Sequence, residues 1–218
     1  KGWLELRPSV WEDYLVELAK DRERCEKNIG YIQMIEARSG IPAMDAWTSE
    51  LIETGYLHNH ARMWYASIWV HTLKLPWTLG AEFFLRHLLD GDVASNTLSW
   101  RWVAGLHTLG KFYLAQKSNI CKFTAGRLEV NIPLATESAL VETRHRVVTP
   151  KRLPSYDKAI PNCRIGLLVH EEDLSAVNWL SDGCELVAVA GLLSSAAYRK
   201  YSIEERVIKF RSDCMRSA

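Results

Sequence analysis

From Trp11 to Trp102 the large apolar residues recur every three or four positions, and in no segment do they alternate at every second one. That period suits helices and argues against half-buried strands. Residues 1–126 are therefore expected to be all-α. Ser9-Val-Trp-Glu12 matches a capping box, followed by Trp11, Tyr14, Leu15 and Leu18 on one helical face. Pro42 opens a second helix with Met44, Trp47 and Leu51 inward, and Gly55 is placed to end it. Residues 57–74 read as one long helix broken before Pro76. A fourth runs from about Leu79 to Leu89, and a fifth from about Val93 past Trp102.

The organisation changes after Arg127. Pro133, Pro150, Pro154 and Pro161 punctuate a stretch with no sustained period, read as a linker or docking segment over residues 128–162. Residues 164–170 (RIGLLVH) and 184–192 (CELVAVAGL) then read as two short buried strands separated by a helical piece. A polar helix from about Ile203 to Met215 closes the chain. Residues 163–218 are thus expected to form a small α/β module, with no GxGxxG and no P-loop. Glu171-Glu172-Asp173 reads as a helix start, where acidic residues favour the dipole. Arg144-His145-Arg146 reads as solvated linker.

Composition bounds the class. Apolar residues make up 48% of 218 residues, enough to bury a core and too many for a disordered chain. No apolar run has bilayer length, so a chain without a membrane partner is expected. The abrupt opening KGWLELRPSVWEDY has no signal-peptide core and reads like a cut from a larger protein. Five scattered cysteines, odd in number and never spaced CxxC, argue against a disulfide framework or structural zinc and favour a reducing cytoplasm. His58 and His60 lie two apart, a spacing that does not converge on one metal ion in a helix, so no metal is expected. His87 and His107 read as surface or partly buried helix residues.

The net charge of +1 conceals an asymmetry. Residues 56–127 carry eight Lys/Arg against three Asp/Glu, a balance of +5, and five of the seven histidines. Six of nine tryptophans fall between residues 47 and 102. A basic, aromatic-rich segment suits an anionic ligand or nucleic acid, although a solvated face gives the same count. Residues 88–102, LLDGDVASNTLSWRW, concentrate the problem. Asp92, Asn96 and Trp100 are spaced i, i+4, i+8 and share one face, while Trp102 points elsewhere. That stripe suits a planar, heteroatom-rich ligand such as a flavin or nucleobase. The plainer alternative is a helix capped by Asp92 with tryptophans filling the core.

The preceding helices bear on that choice. The ordered run TGYLHNHARM, then LPW, then DGDVASN, then WRW resembles the FAD-binding helical domain of the photolyase/cryptochrome family, over roughly Gly40–Trp102. The continuation VAGLHTLGKFYLAQKSNICKFTAGR looks like a bacterial side branch. The resemblance implies a mainly α fold, with a photolyase-like FAD-binding domain over residues 1–127, and FAD as cofactor. It implies that Arg62 and Asp90 form an ion pair against the isoalloxazine, that Asp92 holds its polar edge, and that Asn96 faces flavin N5. Trp100 would be the nearest electron donor and Trp77 the next relay; Trp47 and Trp64 are alternatives for a third. Asn59, His60 and Trp102 would face damaged DNA, with Trp102 stacking on a flipped pyrimidine dimer.

The implied activity is blue-light-driven repair of pyrimidine dimers by a deoxyribodipyrimidine photolyase-like lyase. The alternatives are a cryptochrome-like photoreceptor without repair, or a cofactor-free helical interaction module. These residues depart from the family in three ways. His60 replaces an arginine common among relatives. Pro-Tyr-Phe-Arg does not follow Trp102. The N-terminal antenna domain and the Ser/Thr-rich phosphate-gripping segment have no counterpart in these residues, which leaves open whether they retain FAD without upstream sequence.

Overall fold

The three-to-four-residue period resolves into helices. A computed structural model describes residues 8–108, 110–139, 141, 164–171, 173–175, 184–193 and 202–217. The chain divides into two units, Lys1–Pro150 and Lys151–Ala218. In the first, α1 spans Pro8–Cys25, α2 Ile29–Ile35, α3 Pro42–Thr54, α4 Asn59–Ser67, α5 Trp77–His87, α6 Val93–Val103 and α7 Lys117–Phe123. The expected mainly α fold is present. Pro42 stands in the first turn of α3 and buries Met44, Trp47 and Leu51 behind it; Gly55 ends the helix with φ 72°.

Three local readings need correction. Ser9 and Glu12 lie inside α1 rather than capping it. The short α2 was not anticipated, although Asn28 marks its start by accepting from the Tyr31 amide at 2.9 Å. The expected helix over 57–74 starts at Asn59 and changes winding after Ser67. Ile68–Thr72 form a π-helical turn, with Leu73 N–H bonded to Ile68 O at 2.9 Å. The wider turn places Ile68, Trp69, Val70 and His71 all in the interior.

Helix α5 is the hub, burying nearly every side chain it carries. Glu82, almost inaccessible, accepts from Arg22 of α1 at 2.9 Å and Arg86 at 2.7 Å. Two partners offset the cost of desolvating that carboxylate. Thr78 donates to Asp21 at 2.6 Å, a second tie between α1 and α5. On the facing side Gly80 admits α6. A Cβ there would lie 2.3 Å from Trp100 Cη2 and 2.4 Å from Cζ3. The indole therefore rests directly on the helix backbone.

Residues 129–139 fold back onto this unit through backbone groups. Glu129 O accepts from Ala43 N–H at 2.9 Å, and Ala135 N–H donates to Thr72 Oγ1 at 3.1 Å. Buried His71 completes the attachment. Its Nε2 lies 2.9 Å from Val103 O, and its Nδ1 accepts from Ala139 N–H at 3.1 Å. A carbonyl can only accept and an amide can only donate, so the ring is held as the neutral Nε2–H tautomer. Burial lowers its pKa from the ordinary 6.5, opposed by the hydrogen bond to Val103. The unfolded chain thus binds more protons below that value, so this stabilisation is complete above about pH 6.5 and is lost as the pH falls beneath it. The melting midpoint is expected to drop on acidification from about pH 7 to pH 5, and less so in His71→Gln. Equal drops in a thermal scan series would exclude His71 as the cause.

In the second unit β1 (Arg164–His170) and β2 (Glu185–Leu192) pair in parallel, with an irregularity at Ile165/Gly166, and α8 spans Glu205–Ser217. The strands were expected to be buried. Instead every residue of β2 is exposed, and Leu168 of β1 as well. A parallel sheet needs cover on both faces. Among the described residues α8 brings the Met215 methyl group against Gly191, and Val207 is its buried residue. The residues expected to form the intervening helix lie mostly outside the described set, as does Arg144-His145-Arg146. Glu171 and Asp173 belong to a turn closed by Asp173 N–H to His170 O at 2.9 Å, not to a helix start; Glu172 is outside the described residues.

Candidate functional site

Two sequence segments about thirty residues apart are brought together by a backbone contact. Gly55, in the left-handed conformation, turns the chain out of α3 and offers its carbonyl to Leu89 N–H at 2.9 Å. A Cβ at Gly55 would lie 2.6 Å from Leu89 Cγ and 3.1 Å from His87 O, so the approach requires glycine on spatial as well as conformational grounds. The Tyr56–Asn59 turn is thereby set beside the Asp90–Asp92 loop.

Arg62 spans the junction. Its Nε donates to Leu57 O at 2.7 Å, and its Nη2 reaches both Asp90 oxygens, at 2.9 and 3.1 Å. The Tyr56 ring lies 5.4 Å from the guanidinium carbon. Asp90 remains more than half exposed, so the pair contributes orientation more than stability. Asp92 is the N-cap of α6, accepting from Ser95 N–H at 2.6 Å. The two carboxylates of the DGD motif therefore have different employment: one pairs with a cation and one ends a helix.

Asn96 donates Nδ2 to Ala81 O at 2.7 Å. Because Ala81 O can only accept, the opposite end of the planar amide is Oδ1, an acceptor held in place by that bond, and the residue lines the cavity. Trp100 is buried, edge-on to Phe84 at 5.0 Å and to Trp69 at 6.1 Å. Trp102 is 39% exposed and stacks on Tyr113 at 6.0 Å.

These groups share one cavity of about 490 Å³. Asn59, Arg62, Asp90, Asp92, Asn96, Trp100 and Trp102 all line it, over a floor of Met63, Ala66, Phe84 and Leu88. Two expected residues lie elsewhere. His60 stacks on Trp64 at 5.9 Å and meets Phe123 at 5.7 Å. Trp77 touches Tyr14 at 5.4 Å and lies beneath the Arg101 guanidinium at 5.6 Å. Trp47 and Trp64 pair with each other at 5.9 Å and make no ring contact with Trp100 or Trp77. Sequence reasoning missed His107, which lines the cavity with Nδ1 3.2 Å from Thr108 Oγ1. It follows the Gly105 turn, φ 81°, so helical spacing could not have placed it.

Residues 93–128 contain no Asp or Glu. The first part of this segment, from Ser95 to His107, contributes eight residues to the cavity lining. His107 lines the wall, Tyr113 N–H bonds to Val103 O at 3.2 Å, and Ala115 N–H bonds to Ser67 Oγ at 2.8 Å. At the end of α7, Phe123 reaches His60, the neighbour of cavity-lining Asn59. Lys111, Lys117, Lys122 and Arg127 follow in the rest of this segment, none in an ion pair among the described residues. The surplus of positive charge is therefore localised and unneutralised.

A cavity lined by an ion pair, an amide and indole rings in a helical domain suits a planar, heteroatom-rich ligand. Known proteins agree. The family model for the FAD binding domain of DNA photolyase matches residues 11–124, just over half of the chain. The chain belongs to that family, and FAD is the cofactor of the domain. It is 49% identical over 106 residues to the deoxyribodipyrimidine photo-lyase of Streptomyces griseus, covering 47% of this chain and 22% of that protein. The Escherichia coli K12 enzyme of that name is 37% identical over 89 residues, covering 40% and 19%. The Thermus thermophilus one is 48% identical over 71 residues, covering 33% and 17%. The chain thus spans about a fifth of the length of these relatives. None of its described helices is long and apolar enough to cross a membrane.

The described residues fit the ring portion of the cofactor. Arg62 offers guanidinium N–H donors, Asn96 Oδ1 an acceptor, and Asp90 a carboxylate that keeps Arg62 aimed.

Proposed function

We propose that this chain carries the catalytic core for blue-light-driven, FAD-dependent repair of pyrimidine dimers in DNA. The observation that carries the proposal is the convergence of Arg62, Asp90, Asn96, Trp100 and Trp102 on one cavity. When bound, FAD supplies light absorption and reversible electron donation. The protein's part is positioning. Arg62 and Asn96 orient the ring system, and Asp90 fixes Arg62. Trp100 closes the cavity wall against water. Trp102 offers its exposed face to a base taken out of the stack. Lys111, Lys117, Lys122 and Arg127 supply the attraction for phosphate. Trp100 and Trp77 are the oxidisable rings that the family resemblance assigns to electron relay.

The test combines a flavin titration with binding of dimer-containing DNA. A structured flavin band, bleached by blue light with a thiol reductant, is expected together with selective retention of the damaged strand. Trp102→Ala should weaken that retention by roughly 1–3 kcal/mol, the usual value of one stacked base. Photoreduction with no affinity for damaged DNA would instead assign a photoreceptor of the cryptochrome kind, and a colourless chain that takes up no flavin would leave an interaction module. The basic segment has its own signature. Lys122→Gln should lower the slope of log affinity against log salt by about 1 and weaken damaged and undamaged DNA alike. An unchanged slope would remove Lys122 from the phosphate contacts.

A further inference from the structure

Residues 129–139 are fastened to the helical unit at two places of different character. At the first, Glu129 O accepts from Ala43 N–H at 2.9 Å and Asn131 Nδ2 donates to Gly40 O at 3.0 Å. Val130, between them, is buried. From Ile132 to Ala139 no residue is buried. The second fastening is polar: Ala135 N–H donates to Thr72 Oγ1 and Ala139 N–H to His71 Nδ1, both at 3.1 Å. Those two acceptors are consecutive residues of the π-helical turn. Hydrogen bonds near solvent, with little apolar burial behind them, mark a segment that opens locally before its domain unfolds. A second cavity of about 1090 Å³ has every residue from Pro133 to Ala139 in its lining, with His71, Leu75 and Trp77 among the others.

The two hydrogen bonds of His71 respond in opposite ways to a proton. Nε2–H donates to Val103 O in either charge state, and more strongly from an imidazolium. Nδ1 accepts from Ala139 N–H only while it is unprotonated; a proton there sets donor against donor. Protonation therefore keeps the ring on α6 and releases the segment on its other side. Charged groups around the second cavity are balanced. Glu17, Lys20, Asp21 and Arg24 of α1 line it, with Lys74 beyond the π-helical turn and Glu137. Phe112, edge-on to the His71 ring at 6.1 Å, follows Lys111, and α6 carries Arg101. Burial lowers the pKa of His71 from 6.5, opposed by the bond to Val103. With the segment lifted, the ring meets water and regains its proton affinity. The open form thus binds more protons below about pH 6.5, so closure is favoured above that value and lost progressively beneath it.

We propose that residues 132–139 are an acid-released strap over the second cavity, latched by His71 and anchored at Val130. The anchor holds in acid because neither of its hydrogen bonds involves a titratable group. Thr72 alone supplies one neutral hydrogen bond near solvent, which water replaces at little cost. Lifting the strap admits solutes to the cavity and to its Trp77 wall, while the Val103 side of the flavin cavity stays in place.

The test is amide hydrogen exchange at Ala135 and Ala139, corrected for the pH dependence of unprotected peptides, with the amides of α5 as reference. Strap protection is expected to lie well below that of α5, and to fall about tenfold between about pH 7 and pH 5. In His71→Gln the side-chain amide donates and accepts without titrating, so strap protection should be equal at the two pH values. Three results overturn the proposal: wild-type strap protection that does not change with pH, a fall of the same size in His71→Gln, or strap amides as protected as those of α5. If His71→Gln does not fold, nitrogen NMR of the wild-type ring decides. Its protonation midpoint should coincide with the loss of strap protection, and midpoints that differ overturn the latch.

Discussion

Gly80→Val is expected to lower the stability of the helical unit by roughly 2–3 kcal/mol and to open the cavity wall. The cause is steric. The first side-chain carbon at position 80 would stand 2.3–2.4 Å from two carbons of the Trp100 indole, and Trp100 is packed on its other edges by Phe84 and Trp69. A close-packed interior leaves no room for the ring to retreat except into the cavity or out of α6. Gly80→Ala isolates the effect. Alanine is favoured over glycine in a helix interior by about 1 kcal/mol, so any loss of stability there must exceed that gain. Thermal or urea unfolding measures the loss. Flavin affinity measures the displacement of Trp100, since a moved indole occupies ligand space. Wild-type stability with wild-type flavin affinity in Gly80→Val would show that α5 and α6 do not touch as described.

Gly55→Ala is expected to cost about 3 kcal/mol, from two separate sources. The left-handed backbone, φ 72°, disfavours any side chain by roughly 1–2 kcal/mol. The rest comes from the 2.6 Å approach to Leu89 Cγ and 3.1 Å to His87 O. Gly126 provides the control: its φ is nearly identical at 71°, yet nothing lies within 4 Å of the added carbon. Gly126→Ala should therefore cost only the backbone share, about 1 kcal/mol. Because the Gly55–Leu89 contact holds the Arg62 turn against the Asp90 loop, Gly55→Ala should also weaken flavin binding, and Gly126→Ala should not. Urea unfolding and a flavin titration on the two variants, side by side, separate strain from close approach. Equal losses would mean that Leu89 yields freely.

Particular residues show how far the sequence could be read. The i, i+4, i+8 face of Asp92, Asn96 and Trp100 was legible because helical geometry relates neighbours along one segment. That Asp92 would cap the helix was readable as the plainer alternative, and the structure realises it without removing Asp92 from the cavity lining. His107 was illegible because a glycine turn, not a helix, carries it to the wall. The exposure of β2 was illegible too. An apolar run reads the same whether or not anything covers it, and the described residues bring little onto that sheet.

By itself the sequence determined the helical class, the FAD-binding family and seven of the seventeen residues that line the cavity. Periodicity, caps and ordered motifs are properties of consecutive residues, and a local rule is enough to read them. The tertiary structure decided which residues face one another: Arg62 with Asp90, Trp100 on Gly80, His71 between Val103 and Ala139, and Tyr31 against Trp69. Each of those contacts joins positions some twenty to seventy residues apart. Close packing of whole helices sets such distances, and no local rule encodes them.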